Sequence, residues 1–416
     1  MDKPIKNKIE EANKTATEKI LKSRPLLLDI KPAIDVLPNM KKNSIFHAGP
    51  PIEWKRMCGP MKGAIVGTMI YEGLAENWTQ AVKMIEYEEI EFSPNHDHDA
   101  VGPMAGVISP SMPVLVVKND TYGNICYGRF VEDRVQFGRF DMDAVETLKF
   151  WSETLAPGLG KAIRKSKGLD LKSIMAKALH MGDELHNRPA AGTLLFASVV
   201  MPYLIEVVDR DNLVKTAKYF SENEIFFLCM SMAACKATMN AASEIEYSTL
   251  VTAMARNGTD FGIKVSALGN KWFLGPASII DGVYFPGYGS DDANLDMGDS
   301  AITETAGIGG FALADSPAIL SLIGGSAEDA IKYTKQMREI TMILNDMFSL
   351  PILDFEGTGT GIDLRKVLKT GILPVIDTAI AHKEPGIGMI GAGLVRPPID
   401  AFKKALHAYG AKYHLT

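Results

Sequence analysis

Residues 225–239 decide the fold, and they read Ile-Phe-Phe-Leu-Cys-Met-Ser-Met-Ala-Ala-Cys-Lys-Ala-Thr-Met. Apolar side chains cover every side of a helix built on this stretch, which is typical of a helix at the centre of a core. Three further helical patterns precede it, at about residues 169–187, 190–208 and 210–220, with no convincing strand between them. The sequence therefore predicts a helical middle domain.

The patterns on both sides of this domain mix strands with helices. Residues 114–118 and 124–131 predict a strand pair, and strands and helices alternate again from Glu328 to the C-terminus. The predicted fold class is α+β, or mixed α/β, with two mixed α/β regions flanking the helical middle domain. The predicted boundaries are 1–24 for an N-terminal helical extension, 25–160 for an N-terminal mixed α/β domain, 161–255 for the helical domain and 256–416 for a C-terminal mixed α/β domain.

Composition and charge exclude several classes of protein. The 416 residues carry a formal net charge of -6, which argues against a nucleic-acid partner. The four cysteines form no CxxC pair, so a reducing cytoplasm is the predicted compartment. Residues 1–22 are too polar for a signal peptide. The apolar window 190–208 contains Pro202 and is predicted to be a core helix, so no membrane partner is expected.

Residues 178–188, Ala-Leu-His-Met-Gly-Asp-Glu-Leu-His-Asn-Arg, concentrate polar side chains that can carry chemistry. If the preceding helix continues through them, one of its sides carries His180, Asp183, Glu184 and Asn187. Histidine is the natural proton carrier near neutral pH, and a carboxylate can orient it through its other ring nitrogen. The predicted catalytic residues are His186, Asp183, Glu184 and His180, and the predicted ligand-holding residues are Asn187 and Arg188. The alternative is an exposed helix end with solvated charges.

A second polar stretch, Arg256-Asn257-Gly258-Thr259-Asp260, places a guanidinium, an amide and a carboxylate on one short turn. Arginine suits bidentate recognition of a carboxylate or a phosphate. The stretch therefore predicts three substrate-binding residues, Arg256, Asn257 and Asp260.

A third stretch, residues 299–310, combines hydroxyls and carboxylates with a run of glycines. Glycines let the backbone approach a ligand closely, and successive N–H groups can form a concavity for an anion such as phosphate. The stretch matches neither a Walker A loop nor a GxGxxG fingerprint. The predicted substrate-binding residues are Asp299, Ser300, Thr303, Glu304, Thr305, Gly307, Gly309 and Gly310. A purely structural glycine turn is the alternative.

Histidine and aspartate alternate in residues 95–99, Asn-His-Asp-His-Asp. Imidazole and carboxylate are both metal ligands, so His96, His98 and Asp99 are candidates for a metal site. A substrate contact and a solvated turn are the other interpretations of this run. On balance no metal and no cofactor is predicted.

Three of these stretches also resemble a known family. They are Met-Gly-Asp-Glu-Leu-His-Asn-Arg at 181–188, Arg-Asn-Gly-Thr-Asp-Phe-Gly at 256–262 and Gly-Asp-Ser-Ala-Ile-Thr-Glu-Thr at 298–305. They resemble the YlbE-like proteins, long catalogued as a domain of unknown function, which include the AllG-type subunit of bacterial oxamate carbamoyltransferase. The resemblance runs from about Pro25 to the C-terminus.

The resemblance implies a reaction and partners. The implied reaction is carbamoyl transfer between oxalurate and phosphate, giving oxamate and carbamoyl phosphate in allantoin (purine) catabolism. The implied partners are a small anionic substrate, which is a carbamoyl or phosphate compound, an FdrA-like subunit similar to succinyl-CoA synthetase, and a smaller third subunit. A homo-oligomer is also expected. Carbamoyl transfer must hold two anions close together and polarise a carbonyl between them, which suits Arg188 and Arg256.

Two other functions stay open. The first is a non-catalytic subunit that binds a small anion, or acts as a scaffold, in an acyl-CoA-synthetase-like complex. The second is a metal-dependent hydrolase built on His96, His98 and Asp99.

Overall fold

The structure is a computed structural model that describes residues 4–131 and 133–415. Its helices are α1 (Ile5–Lys22), α2 (Ala33–Val36), α3 (Gly59–Tyr71), α4 (Trp78–Glu86), α5 (Met142–Phe150), α6 (Ala156–Ser166), α7 (Leu171–Leu179), α8 (Ala190–Val207), α9 (Arg210–Glu222), α10 (Leu228–Ala241), α11 (Ile302–Thr305), α12 (Leu320–Ile323), α13 (Ala327–Glu339), α14 (Leu364–Thr370) and α15 (Ile399–Tyr413). Its strands are β1 (Pro25–Pro32), β2 (Ser44–His47), β3 (Glu91–Pro94), β4 (Ala100–Val101), β5 (Pro113–Asn119), β6 (Ile125–Arg129), β7 (Leu169–Asp170), β8 (Val251–Asn257), β9 (Asp260–Val265), β10 (Phe273–Pro276), β11 (Asp281–Tyr284), β12 (Met297–Gly298), β13 (Thr341–Leu350), β14 (Glu356–Ile362), β15 (Ile376–Ala381) and β16 (Met389–Val395).

The strands form several small sheets. The largest has the order β4-β6-β5-β1-β7, and β5 pairs antiparallel with both of its neighbours. A second sheet has the order β10-β9-β8-β12 and a third the order β11-β16-β15, while β13-β14 and β2-β3 form pairs. Helices and small sheets therefore mix along the chain, and the predicted α+β fold class is confirmed.

Helix α10 is the central helix that residues 225–239 predict. Apart from Thr238 and Asn240, all of its residues are buried. It packs on β5 and β6 of the first sheet and against α1, α7 and α11. A Cβ atom at Gly128 of β6 would lie 2.9 Å from the Cβ of Ala233, so the glycine lets α10 approach the sheet closely. The prediction of a buried central helix is confirmed.

One hydrophobic core extends over distant parts of the chain. It includes Ala16 of α1, Leu115 of β5, Met230 of α10, Ile302 of α11 and Ala381 of β15. The four predicted segment boundaries stay a prediction.

Helix α1 is tied to the body of the protein by the buried side chain of Asn13. Its Nδ2 donates to Thr249 Oγ1 over 2.9 Å, and its Oδ1 accepts from the Thr249 N–H over 2.8 Å and from Ser248 Oγ over 3.1 Å. An asparagine buried in this way is stable because both ends of its amide are hydrogen-bonded.

Helix α8 carries an exposed apolar face. The exposed fractions of Leu194, Val199 and Ile205 are 64%, 42% and 62%. Among the residues that the structure describes, α8 is the one helix long and apolar enough to cross a membrane, and 33% of it is buried. One such helix is weak evidence for a membrane span, because core helices of soluble proteins meet the same criteria.

The helical prediction for residues 180–187 is wrong. Helix α7 ends at Leu179, and the chain then turns at Gly182 and Leu185, whose φ angles are +86° and +70°. The carboxylates of Asp183 and Glu184 accept main-chain N–H groups in and after this turn. Acidic side chains that bond nearby main-chain groups compete with helix formation, so the two acids stabilise the turn.

Candidate functional site

Residues 298–310 contact both of the other predicted polar stretches. Nδ1 of His186, in the first stretch, lies 2.8 Å from Oε1 of Glu304, in the third. A guanidinium nitrogen of Arg256, in the second stretch, donates to the carbonyl of Gly298 over 2.7 Å. Residues 298–310 therefore lie between the other two stretches.

His186, Glu304 and Asp377 form a buried cluster. Besides its contact with Glu304, Nδ1 of His186 lies 3.0 Å from Oδ1 of Asp377 and 3.1 Å from Oγ1 of Thr303. The exposed fraction is 0% for both acids and 2% for His186. The carboxylate of Glu184 lies beside this cluster and accepts the N–H of His186 over 2.8 Å.

Burial and mutual attraction set the protonation of these groups. Burial raises the pKa of Glu304 to about 7, and burial together with repulsion from Asp377 raises the pKa of Glu184 well above its ordinary value. Burial opposes a charge on His186, but attraction to Glu304 and Asp377 outweighs it and raises the pKa of His186 well above 6.5. Burial also opposes a charge on Asp377, but the attraction of His186 is stronger and lowers that pKa. The raised pKa values favour the protonated forms of Glu184 and Glu304, whereas Asp377 stays ionised beside the imidazolium of His186.

Asp183 caps helix α8. Its carboxylate accepts the N–H groups of Ala191 and Gly192 over 3.1 and 2.7 Å and lies 3.2 Å from a guanidinium nitrogen of Arg188. Burial raises the pKa of Asp183 to about 6 against these hydrogen bonds. Arg188 also donates to the carbonyl of Gly182 over 2.7 Å, so both charged residues brace the turn that holds them.

Arg256 is fully buried, and the protein occupies its donors. Its guanidinium forms two bonds of 2.7 and 2.9 Å to the carboxylate of Asp296, and it also donates to Thr378 Oγ1 over 3.0 Å. A weaker contact of 3.4 Å reaches Ser300 Oγ. Arg256 therefore forms an internal ion pair, and a ligand anion would have to displace Asp296 to reach it.

The glycine run binds internal acceptors. The N–H of Gly310 donates to Oε1 of Glu304 over 2.9 Å, and the N–H of Gly309 donates to the main-chain carbonyl of Glu184 over 2.7 Å. The N–H of Gly307 bonds the carbonyl of Glu304 over 3.0 Å. The anion held by this run is thus the side chain of Glu304, at the position where the sequence predicted a phosphate.

Asn257 and Asp260 shape the turn between β8 and β9. Oδ1 of Asn257 accepts the N–H groups of Thr259 and Asp260 over 3.1 and 2.7 Å, and its Nδ2 donates to the carbonyl of Pro50 over 3.0 Å. Asp260 pairs with Arg56 over 2.8 Å. These contacts fix the turn and leave the amide of Asn257 fully engaged.

Three other predicted site residues take no part in the networks described above. His180 is exposed, and its Nε2 lies 3.0 Å from Ser349 Oγ. The hydroxyl of Thr305 donates to a main-chain carbonyl one helical turn earlier. Nδ2 of Asn187 is buried and makes no hydrogen bond within the described part of the chain.

Asp299 joins three loops. Its carboxylate accepts the N–H of Gly49 over 2.8 Å, Nδ2 of Asn95 over 2.9 Å and the N–H of Gly102 over 3.0 Å. Nε2 of His96 lies 3.6 Å from its Oδ1. Burial outweighs these contacts and raises the pKa of Asp299 to about 6.

The candidate metal ligands at residues 96–99 face different partners. Both ring nitrogens of His98 are hydrogen-bonded, to the carbonyl of Pro38 and to Ser93 Oγ, each over 2.8 Å. Asp99 accepts Nδ2 of Asn240 over 2.7 Å. His96 instead lines a cleft.

This cleft has a volume of about 390 Å³ and lies among α10, β8 and β9. His96, Lys236 and Lys264 line it, although only 2%, 4% and 4% of these residues is exposed. Nζ of Lys236 donates to the main-chain carbonyl of His96 over 3.3 Å. Neither ring nitrogen of His96 has a hydrogen-bond partner among the described residues. The amide side chains that complete the lining are Asn124, Asn240 and Asn270.

Opposite charges lie close together in this basic cleft of His96, Lys236 and Lys264. Nζ of Lys264 lies 2.6 Å from Oδ1 of Asp97 and 4.7 Å from the centre of the Trp272 ring. Burial, followed by repulsion from Lys236, lowers the pKa of Lys264. Burial and the two lysines lower the pKa of His96 well below 6.5, so its imidazole is neutral. A neutral imidazole beside a buried ammonium can both bind an anion and exchange a proton with it.

Three larger clefts of about 490, 520 and 550 Å³ lie elsewhere. In the largest, Arg139 is paired with Asp141 over 2.7 Å, and in the cleft of 520 Å³ Arg164 is paired with Asp29. In the cleft of 490 Å³, Arg396 donates to the carbonyl of Leu373 over 2.6 Å. The basic cleft differs because buried polar atoms in its wall lack partners, and we therefore take it as the candidate functional site.

The family of the oxamate carbamoyltransferase subunit AllG matches residues 90–300. The oxamate carbamoyltransferase subunit AllG of Escherichia coli (strain K12) is 41% identical over 407 residues, which cover 96% of this chain and 97% of that protein. The chain belongs to the AllG family. The matched residues 90–300 contain His96, Lys236 and Lys264 of the basic cleft, and the YlbE-like name stays a prediction.

Other relatives of this AllG-family chain have no assigned role in their names. The uncharacterized protein YahG of Escherichia coli (strain K12) is 46% identical over 418 residues, covering 99% of this chain and 88% of that protein. A crystal structure of a conserved protein of unknown function from Enterococcus faecalis V583 matches with a TM-score of 0.96 and 46% identity, covering 99% of each chain. This match extends over helix α1, which the sequence resemblance left out.

Sequence analysis missed three residues that stand out in this AllG-family structure: Lys236, Lys264 and Asp377. Each is a lone charge in an apolar stretch, Lys236 in residues 225–239 and Asp377 in the strand β15. Charged side chains are rarely buried unless they are paired, so a lone charge in an apolar stretch could have identified these three residues as candidates.

Proposed function

We propose that this AllG-family chain is a subunit of an oxamate carbamoyltransferase-type enzyme, and that the basic cleft binds its small anionic substrate. The observation that carries the proposal is the buried ammonium of Lys236, whose hydrogen bond goes to a neutral carbonyl beside an imidazole with two unpartnered nitrogens. A buried ammonium is costly without a nearby anion, and a carboxylate or phosphate ligand would supply one.

The lining of the cleft suits an anion that also has hydrogen-bond donors. Lys236 and Lys264 attract negative charge, whereas the carboxylates of Asp99 and Glu244 in the same wall can accept N–H groups of a ligand. Oxamate and oxalurate combine a carboxylate with amide N–H groups. This mixture of charges therefore favours such compounds over a simple dianion.

The reaction proposed for this site is phosphorolysis of oxalurate. A phosphate oxygen attacks the carbamoyl carbon, the bond from that carbon to the oxamate nitrogen breaks, and the nitrogen must receive a proton. Neutral His96 can accept the proton of the phosphate hydroxyl and pass it to the leaving nitrogen. Asp299, 3.6 Å from Nε2 of His96, would stabilise the transient imidazolium.

The proposal also includes partners and a compartment. We place the chain in the cytoplasm, in a complex with an FdrA-like, synthetase-type subunit and a smaller third subunit, and as a homo-oligomer. The word subunit in the name of the relative AllG and the exposed apolar face of α8 support an assembly. The four cysteines, which form no CxxC pair in the sequence, support a reducing compartment.

Calorimetry of the purified chain with oxamate, phosphate and carbamoyl phosphate tests the binding site. The wild-type protein should bind at least one of them, and Lys236→Met should weaken binding about tenfold to hundredfold, because a charge-assisted hydrogen bond is lost. The matched control is Lys172→Met, because Lys172 is a half-buried lysine that also bonds main-chain carbonyls. Equal affinity in wild type and Lys236→Met, or no binding by the wild type, would overturn the proposal.

A second candidate function is a non-catalytic subunit that binds an anion or acts as a scaffold. The closed network of Arg256 favours it, because this arginine is already saturated by Asp296. Phosphorolysis of oxalurate by the reconstituted complex separates the two functions. His96→Gln should abolish turnover and retain binding if the cleft is catalytic, whereas unchanged turnover favours the scaffold.

A further inference from the structure

More oxygen atoms surround Nδ1 of His186 than a single N–H group can bond well. Three oxygen atoms lie 2.8, 3.0 and 3.1 Å from this nitrogen, and they belong to Glu304, Asp377 and Thr303. A single N–H bond can align with one acceptor, so two of these close contacts gain little from it. Ligand atoms held at about 2.0–2.2 Å by one ion lie about 3 Å apart, which is the spacing seen here.

Asp377 supplies an independent observation. Its exposed fraction is 0%, its Oδ1 lies 3.0 Å from Nδ1 of His186, and its other polar neighbours are the carboxyl groups of Glu184 and Glu304. Buried carboxylates in folded proteins are normally paired, hydrogen-bonded or bound to a metal. The ring of His186 is near, but it is already bonded to Glu304.

Acidic side chains dominate the cluster, and a bound cation would displace the protons that they hold at neutral pH. Glu184, Glu304 and Asp377 are all fully buried, and His186 is the basic side chain that contacts them. The arginines of the two neighbouring networks are engaged elsewhere, since Arg256 bonds Asp296 and Arg188 bonds Asp183. A divalent cation would compensate the charge of these acids more completely than one proton on the imidazole.

We infer that His186, Glu304 and Asp377 bind a divalent first-row transition-metal ion. Their ligand atoms all lie within 4.8 Å of one another. One imidazole with two carboxylates suits Zn²⁺ or Mn²⁺, because imidazole favours the former and carboxylate the latter. Glu184 acts as the outer partner, since its carboxylate holds the main-chain N–H of His186 and fixes the loop that presents the ring.

Such an ion would join three parts of the chain that are far apart in sequence. His186 follows α7, Glu304 lies in α11 and Asp377 lies in β15. A metal that binds only the folded arrangement stabilises it by mass action. This inference is independent of the anion site proposed above, because it uses other residues and another ligand.

Metal analysis tests the inference. The chain should be produced without a histidine tag in medium supplied with Zn²⁺ and Mn²⁺, passed through gel filtration and measured by mass spectrometry for metals. We expect about one equivalent of one ion per chain, and Asp377→Asn and Glu304→Gln should each lower this to about a tenth or less. The matched control is Asp315→Asn, since Asp315 is another buried acid whose Oδ2 has no hydrogen bond within the described residues. It should retain the ion.

Cobalt provides a readout that needs no variant. Protein stripped with a chelator and loaded with Co²⁺ should show ligand-field absorption bands distinct from those of the aqueous ion, and Zn²⁺ should abolish them. Wild-type protein that retains no ion in the supplied medium and gives no such bands would overturn the inference. Equal metal content in Asp377→Asn, Glu304→Gln and the wild type would overturn it as well.

Discussion

Nε2 of His96 lies 3.6 Å from Oδ1 of Asp299, and both side chains are fully enclosed. Asp299 is held in turn by the main-chain N–H groups of Gly49 and Gly102 and by the amide of Asn95. The position of the imidazole in the basic cleft therefore depends on one carboxylate and the three loops that it joins.

Asp299→Asn should change how stability depends on pH. Because burial raises the pKa of Asp299 from its ordinary 3.8 to about 6, the folded chain binds this proton more tightly than the unfolded chain. The group therefore stabilises the fold at acidic pH, and the contribution is lost as the pH rises through 6. A shift of about two units corresponds to about 3 kcal/mol. Relative to wild type, the unfolding free energy of Asp299→Asn should rise by up to that amount between pH 4 and pH 7.

Urea denaturation at several values of pH measures this difference. A constant offset between Asp299→Asn and wild type across that range would contradict the raised pKa of Asp299.

Arg256→Met should destabilise the protein by about 3–5 kcal/mol, because it leaves the buried carboxylate of Asp296 without its partner. Its matched control is Arg56→Met, which breaks the ion pair with Asp260 at the surface and should cost about 1 kcal/mol or less. Urea denaturation of both variants gives the comparison. Similar losses in the two variants would show that the Arg256 network is not a structural ion pair.

Gly309→Ala should be more destabilising than Gly371→Ala. Both glycines have positive φ, +62° and +72°, so both alanines pay a similar cost of about 1–2 kcal/mol in the backbone. At Gly309 the new Cβ would also lie 2.2 Å from Oε1 of Glu304, which is held in place by Gly310 and His186, whereas no atom lies within 4 Å at Gly371. We expect an additional loss of about 1–3 kcal/mol at Gly309. Thermal melts of the two variants would disprove the clash if their midpoints coincide.

Asn13→Ala should cost about 2–3 kcal/mol, because it leaves the N–H of Thr249 and the hydroxyl of Ser248 buried with a lost acceptor. Asn7→Ala, on the exposed side of the same helix, is the control and should change stability by about 0.5 kcal/mol or less. Chemical denaturation measures both. If Asn13→Ala is as mild as the control, α1 contributes little to the stability of the body.

Much of the fold follows from the sequence because periodic apolar patterns determine helices. The pattern of residues 225–239 predicts α10, and the window 190–208 predicts α8, to within a few residues. The pattern at 180–187 misleads because hydrogen bonds from main-chain N–H groups to Asp183 and Glu184 outweigh its helical periodicity. Periodicity carries no information about such local side-chain bonds.

The sites were harder to predict, because contacts between distant residues decide which polar groups are satisfied. The sequence predicts that Arg256 binds a ligand anion, whereas in the structure it pairs with Asp296. Lys236 and His96 meet only through the packing of α10 against the loop after β3. Asp377 becomes a candidate site residue only through its contact with His186, which lies nearly two hundred residues earlier in the chain.

The anchoring of α1 has a consequence for synthesis of the chain. Asn13 bonds Thr249, whose hydroxyl donates to Asp363, so the network is complete only when the last of these residues has been made. At about 5–20 residues per second, a ribosome needs about 20–70 s to pass from one end of this network to the other. During that time the contacts of α1 with β13 and β14 cannot form, although those with α10 can. Part of the surface of α1 is thus covered late in synthesis, and a nascent chain leaves that part open to chaperones throughout the interval.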